Sequence, residues 1–126
     1  DQEARKWYGK AAEQEGGAGM FALAEMYVHG TALPKDKQEA RKWYRKAVEQ
    51  GSVDAMLRLA ESYREGKGSA HDRMHAYVWY SLAAYAGNTN AKEQRDAIEK
   101  KLSSRDLQKA QELAQRCQDT KFTDCE

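Results

Sequence analysis

With 126 residues, and 21 basic side chains against 20 acidic ones, the chain is long enough for one continuous core and is nearly neutral. The net charges of residues 1–36, 37–72 and 73–126 are −2, +2 and +1, which argues against bulk electrostatic capture of nucleic acid or a membrane surface. No apolar run approaches the roughly 20 residues needed to span a bilayer, so no membrane insertion is expected.

Residues 2–15 read as a first helix, with Ala4, Trp7, Tyr8, Ala11 and Ala12 on one stripe and Arg5, Lys6, Lys10 and Glu13 on the polar side. Gly16-Gly17 breaks it. The second helix, about 18–29, carries Met20, Leu23, Ala24 and Tyr27, and Gly30 ends it. Asp36 with Glu39 forms a capping box for a third helix, about 37–50, with Ala40, Trp43, Tyr44, Ala47 and Val48. Gly51 stops that helix, and Ser52 caps its partner, about 53–65, whose stripe is Met56, Leu59, Ala60 and Tyr63. Asp72 is the expected N-cap of a helix over 73–86, and Asn88 caps another that runs to about Lys101. Ser103 with Asp106 opens the last helix, read as 103–118, with Leu107, Ala110, Leu113, Ala114 and Cys117 on one side.

These elements recur. Trp7, Trp43 and Trp79 stand 36 residues apart, as do Tyr8, Tyr44 and Tyr80, and residues 4–39 share 16 identities with 40–75. Paired helices at this period predict an all-α fold, an α/α solenoid of antiparallel helix pairs. The expected organisation is a single domain over 1–126, with repeats at about 1–35, 36–71 and 72–102 and a capping helix and tail at 103–126. Because Asp1 already falls inside the repeat phrase, the expectation is a chain processed or cut from something longer.

The third copy departs from the first two. Arg5 and Arg41 become Tyr77, Lys6 and Lys42 become Val78, Lys10 and Lys46 become Leu82, and Glu13 and Glu49 become Tyr85. A helix apolar all round must be covered on both sides, and residues 103–118 are read as the cover. The rival reading leaves those four side chains as an exposed ligand patch.

From Ala40 the phrase AxxWYxxAxxxGxxxAxxxLAxxYxxGxG resembles the Sel-one-like repeat (SLR) family, relatives of the tetratricopeptide repeats. The match is clear over residues 4–87, and the tail is similar to the closing segment of exported bacterial members. Three positions depart from the pattern. Glu15 stands where Gly51 and Gly87 stand, so Gly16 or Gly17 must make that turn one step late. Gly19 replaces the small residue matched by Ala55, and Ala32 replaces Gly68, so the first inter-repeat loop is expected to take another path, helped by Pro34. The resemblance implies a curved right-handed stack serving as a scaffold or adaptor for other proteins, in a periplasmic or secreted setting. It implies no shared catalytic residues and no cofactor.

The Trp-Tyr pairs are read as core. His71 and His75, four apart, could place two imidazoles on one side as a metal pair requires, but surface histidines are the default and no third ligand is evident nearby. Lys37, Arg41, Lys42, Arg45 and Lys46 make the third helix basic, with Arg5, Lys6 and Lys10 as counterparts one repeat earlier. A solvated face is the ordinary meaning, and a docking strip for an acidic partner protein is the sharper one. On that second reading the partner-binding candidates are Arg5, Lys6, Lys10, Glu13, Arg41, Lys42, Arg45, Lys46 and Glu49. Cys117 and Cys125 are the only cysteines, and an even count favours a disulfide over two free thiols. With no GxSxG, HExxH or phosphate-cradling glycine loop, the expectation is a non-catalytic, monomeric scaffold for a protein or peptide, without nucleic acid. The alternatives are a metal-dependent or enzymatic protein using His71 and His75 on the same scaffold, or a structural fragment whose binding surface lies in missing N-terminal repeats.

Overall fold

The computed structural model describes residues 2–66 and 68–125. These hold seven helices: α1 (Gln2–Glu15), α2 (Gly17–His29), α3 (Lys37–Glu49), α4 (Val53–Arg64), α5 (Ala70–Tyr85), α6 (Thr89–Glu99) and α7 (Ser104–Asp119). No strand occurs among the described residues, and the fold is an all-α helical-repeat solenoid. Four of the expected caps form. Main-chain N–H groups of Glu39, Ala55, Ala91 and Asp106 donate to the side chains of Asp36, Ser52, Asn88 and Ser103. The cap of α5 does not fall on Asp72. Ser69 accepts from the Asp72 N–H at 3.1 Å, so α5 begins three residues before the expected start, and Asp72 moves into the first turn. There its charge favours the positive end of the helix dipole.

Packing falls into two compact units, Asp1–Ala55 and Met56–Glu126. In the first, α1 packs on α2 and α2 on α3. The ring of Trp43 lies on Gly9 of α1, where a Cβ at position 9 would stand 3.2 Å from the indole. Tyr44 turns the other way. Its hydroxyl donates to Glu25 of α2 at 2.8 Å, and its ring leans on Phe21. The second Trp-Tyr pair therefore grips both helices of the preceding hairpin.

The first pair corrects the sequence reading. Trp7 is 66% exposed and Tyr8 38%, whereas Trp43 and Tyr44 are each 6% exposed. The physical reason is the absence of an equivalent cover: no described helix stands to α1 as α1 and α2 stand to α3. Lys10 places its ammonium 5.8 Å from the Trp7 ring, as Lys46 does over Trp43 at 4.3 Å.

Two of the three departures from the repeat phrase have a local explanation, one at Gly19 in the first turn of α2 and one at Ala32 in the loop before α3. A Cβ at Gly19 would come within 2.6 Å of the Glu15 side chain and 2.9 Å of the Ala12 carbonyl, so the close turn between α1 and α2 admits no larger residue. The loop that holds Ala32 does take another path, as the sequence suggested: α3 begins at Lys37, three repeat positions later than α5 at Ala70, and Gly30 is left-handed where Gly66 is not. Ala32 itself takes φ 62, close to the φ 74 of Gly68 one repeat later, and carries an L side chain where glycine would be unstrained.

In the second unit α5 is the centre. Every residue from His75 to Ala83 is buried, with α6 and α7 packed on the helix. The charged-to-apolar exchanges at Tyr77, Val78 and Leu82 thus face a cover, as the capping reading required. Tyr85 is the exception at 66% exposure, because it ends α5 just before the chain turns away through Gly87. Ala110, Leu113, Ala114 and Cys117 form the buried side of α7. Burial pushes the Tyr80 phenol above its ordinary range against the opposing pull of Arg64, and it does the same for Tyr27 in the first unit against Arg5.

Truncating Trp43 to alanine is expected to cost about 3–5 kcal/mol in a denaturant melt, whereas Trp7→Ala should cost under about 1 kcal/mol. Similar losses for both would show that the two indoles have the same cover. Ala32→Gly is expected to raise stability by about 1 kcal/mol through relief of the left-handed alanine. A loss on that substitution would mean that the alanine side chain is held by packing.

Candidate functional site

The candidate site is a face of α3, and its register follows from packing. Ala40, Trp43, Tyr44, Ala47 and Val48 are buried. Their helical spacing leaves two parallel rows on the opposite side. One row is Lys37, Arg41, Arg45 and Glu49, and the other includes Lys42 and Lys46. Together they line a shallow hollow of about 530 Å³. Gln38 also lines it and was not singled out from the sequence, although its place one turn before Lys42 is the signal that could have found it.

Local contacts orient these side chains. Lys42 Nζ stands 4.0 Å from Glu39, an exposed pairing worth little by itself. Lys46 lies over the buried Trp43 ring, so its methylene stem covers apolar surface while its charge borders the hollow. The lining therefore carries five cations against the single carboxylate of Glu49.

The α1 candidates do not form a second copy of this strip. Arg5 reaches to Asp36 at 3.5 Å and lies 5.5 Å over the Tyr27 ring, bracing α1 against the loop ahead of α3. Lys6 and Glu13 are exposed, and Lys10 is drawn to Trp7. Gly9 occupies the position that Arg45 has in α3, and it is covered by Trp43. Of the nine sequence candidates, the five on α3 share one hollow and the four on α1 do not.

His71 and His75 are adjacent, but their geometry suits stacking. Their ring centroids are 4.2 Å apart with planes inclined at 31°, and Tyr63 lies against His75 at 5.1 Å. The lone pairs of imidazoles lie in the ring plane, so rings placed face to face do not converge on one ion. His75 Nδ1 is also 2.9 Å from the His71 carbonyl, which takes its proton. Among the described residues no group of three or more His, Cys, Asp or Glu side chains is placed to hold a metal ion.

At the other end of the chain the sulfurs of Cys117 and Cys125 stand at bonding distance, with their Cα atoms 4.5 Å apart. The intervening turn is tightly bonded. The Phe122 N–H donates to the Cys117 carbonyl at 2.8 Å, and the Thr120 hydroxyl donates to the Arg116 carbonyl and accepts from the Asp124 N–H. Arg116 pairs with Asp124 at 3.0 Å. Lys121 and Phe122 both take positive φ, 54 and 70, an arrangement that non-glycine residues keep only when their surroundings fix it. Among the described residues no helix is long and apolar enough to cross a membrane.

A family model described as Sel1 repeat matches residues 1–15, 17–52 and 53–88. Each complete match joins the second helix of one hairpin to the first helix of the next, so the family unit is out of phase with the hairpin 36–71 read from the sequence. No curated protein matches the chain. Among solved structures, a protective antigen of uropathogenic Escherichia coli with an SLR fold is similar at a TM-score of 0.78 and 34% identity, over 93% of this chain. The chain spans about a quarter, 26%, of that protein. A Sel1 repeat protein from Oxalobacter formigenes is similar at a TM-score of 0.65 and 29% identity, over 75% of this chain and 72% of its own.

If the two cysteines are joined, alkylation without reductant should leave both unlabelled. Reduction should then lower stability by about 2.5 kcal/mol, the chain-entropy value for so short a loop. Ready labelling of both thiols would refute the bond.

Proposed function

The chain belongs to the Sel1 repeat family, and from that premise we propose that it is a non-catalytic scaffold or adaptor that binds a partner protein or peptide on the surface of its helical stack. The observation that carries this reading is the division of labour within α3. One side is locked into the core by Trp43 and Tyr44, and the other gathers five cations and a single carboxylate around an open hollow. Sel1 repeats generally mediate protein–protein contacts, which supports the class of partner without identifying it. The reading includes a single domain over 1–126 and a monomeric chain. The stacked geometry of His71 and His75 gives no support to a metal-dependent activity.

The cysteine pair supports a further part of the proposal, that the protein works in an oxidising compartment, periplasmic or outside the cell. There the bond would persist and fix the chain end beside α7.

Reversing Arg41, Lys42, Arg45 and Lys46 to glutamate tests the surface. The variant should stay helical, with a melt lowered by the loss of the Lys46 cover over Trp43, and should lose the partner that the wild-type protein recovers in a crosslinking pull-down. Recovery of the same partner by both proteins would show that the face of α3 is not the binding surface.

A further inference from the structure

One phrase stands at the start of both α1 and α3. Residues 2–8 and 38–44 each read QEARKWY, and Ala11 matches Ala47 one turn further on. In α3 the phrase puts Ala40, Trp43, Tyr44 and Ala47 into the core. In α1 the equivalent Trp7, Tyr8 and Ala11 are exposed and Ala4 is half-buried. Positions i, i+3, i+4 and i+7 make one apolar stripe, the spacing with which a helix seats on other helices. An indole and a phenol side by side on that stripe mark a contact surface rather than a solvated face.

What seats on such a stripe is visible one repeat later. The α3 copy lies on a helical hairpin, α1 and α2. Gly9 meets the Trp43 ring, Phe21 lies against the Tyr44 ring, and Glu25 accepts from the Tyr44 hydroxyl. The lysine over each indole is no obstacle, since Lys46 keeps its place over Trp43 while Gly9 is in contact. A second copy of the chain does not offer the same seat, because its α1–α2 surface is already filled by its own α3. The family match points to another source. In 17–52 and 53–88 the unit opens on the second helix of a hairpin, α2 or α4, and closes on the first helix of the next. At 1–15 only the closing helix, α1, is matched, and the chain spans 26% of the similar antigen with an SLR fold.

We propose that the outer face of α1 seats a further helical hairpin of the Sel1 kind, carried ahead of α1 on the same polypeptide, whose second helix offers a carboxylate to the Tyr8 hydroxyl. The hairpin extends the first unit by one repeat and turns Trp7 into a core ring. This face is separate from the charged side of α3, and the inference does not depend on that side.

Two measurements test it. The coding sequence ahead of residue 1 should place a carboxylate 19 residues before Tyr8 and a tyrosine 16 residues before Trp7. These are the intervals of Glu25–Tyr44 and Tyr27–Trp43, and Glu61–Tyr80 and Tyr63–Trp79 repeat them. Absence of such a helix would overturn the proposal. The second measurement compares the 126-residue chain with a version extended at its start by an in-frame copy of residues 1–36, with Trp7→Gln in the copy so that the same three tryptophans report. In the 126-residue chain acrylamide should quench Trp7 readily and spare Trp43 and Trp79. In the extended chain all three should resist it, and Trp7→Ala should lower the melting temperature as much as Trp43→Ala does. Trp7 still open to acrylamide there, whether or not the added hairpin is helical, would sink the proposal. So would a dimer of the 126-residue chain that Trp7→Ala dissolves, or a pull-down partner lost on Trp7→Ala with Tyr8→Ala, since these give the face to a second copy or to a separate protein. The charge reversal on α3 tests the scaffold surface by itself, so either reading can fail while the other stands.

Discussion

The contact on which the first unit depends is the ring of Trp43 seated on the bare backbone of Gly9. An indole is large, and burying it needs a partner surface that comes close. A glycine in the facing helix supplies that surface by having nothing in the way. Once the ring is seated, the orientation of α3 follows. Tyr44 is turned onto α2, where it finds Glu25 and Phe21. Ala47 and Val48 are driven inward on the next turn, and the charged rows are left on the opposite side, at the rim of the hollow. The hollow is thus set from behind, by an aromatic contact that none of its charged rim residues makes except Lys46.

The second unit meets the same problem differently. Its counterpart helix, α5, has given up the polar side and is enclosed by α6 and α7. Tyr77, Val78 and Leu82 occupy the places that in α3 are charged, and they contribute to the core. One repeat phrase therefore yields two kinds of helix according to one face of the pattern: a half-buried helix with an open rim, and one enclosed from His75 to Ala83.

Much of this was legible in the sequence because a 36-residue period sums weak signals into a strong one. Caps at Asp36, Ser52, Asn88 and Ser103 were readable because a short polar side chain three residues ahead of an amide has one geometric use. The α5 start was missed because Asp72 and Ser69 both fit that rule, and only the position of the helix axis decides between them. The different course of the first inter-repeat loop was legible at Ala32 and Pro34, but the left-handed backbone of Ala32 itself was not, because the surrounding loop holds alanine there at some cost. Trp7 and Tyr8 were assigned to the core on their helical spacing among alanines, but burial needs a second surface as well as an apolar one. At the candidate site, the basic run of α3 was visible as composition. Its separation from α1 was hidden, because Arg5 and Arg41 are the same letter in the same frame and only the fold shows Arg5 turned toward Asp36.

The enclosure of α5 and the openness of α3 also set how freely each can change. A substitution from His75 to Ala83 disturbs packing on more than one side, and few replacements fit. On α3, residues such as Lys37, Arg41 and Glu49 can be exchanged with little effect on the fold, since surface changes away from packed features shift stability only slightly. The architecture thereby uncouples inheritance of the scaffold from divergence of what it recognises. New specificities are open to single substitutions on a rim whose foundations, Gly9 and Trp43, stay untouched.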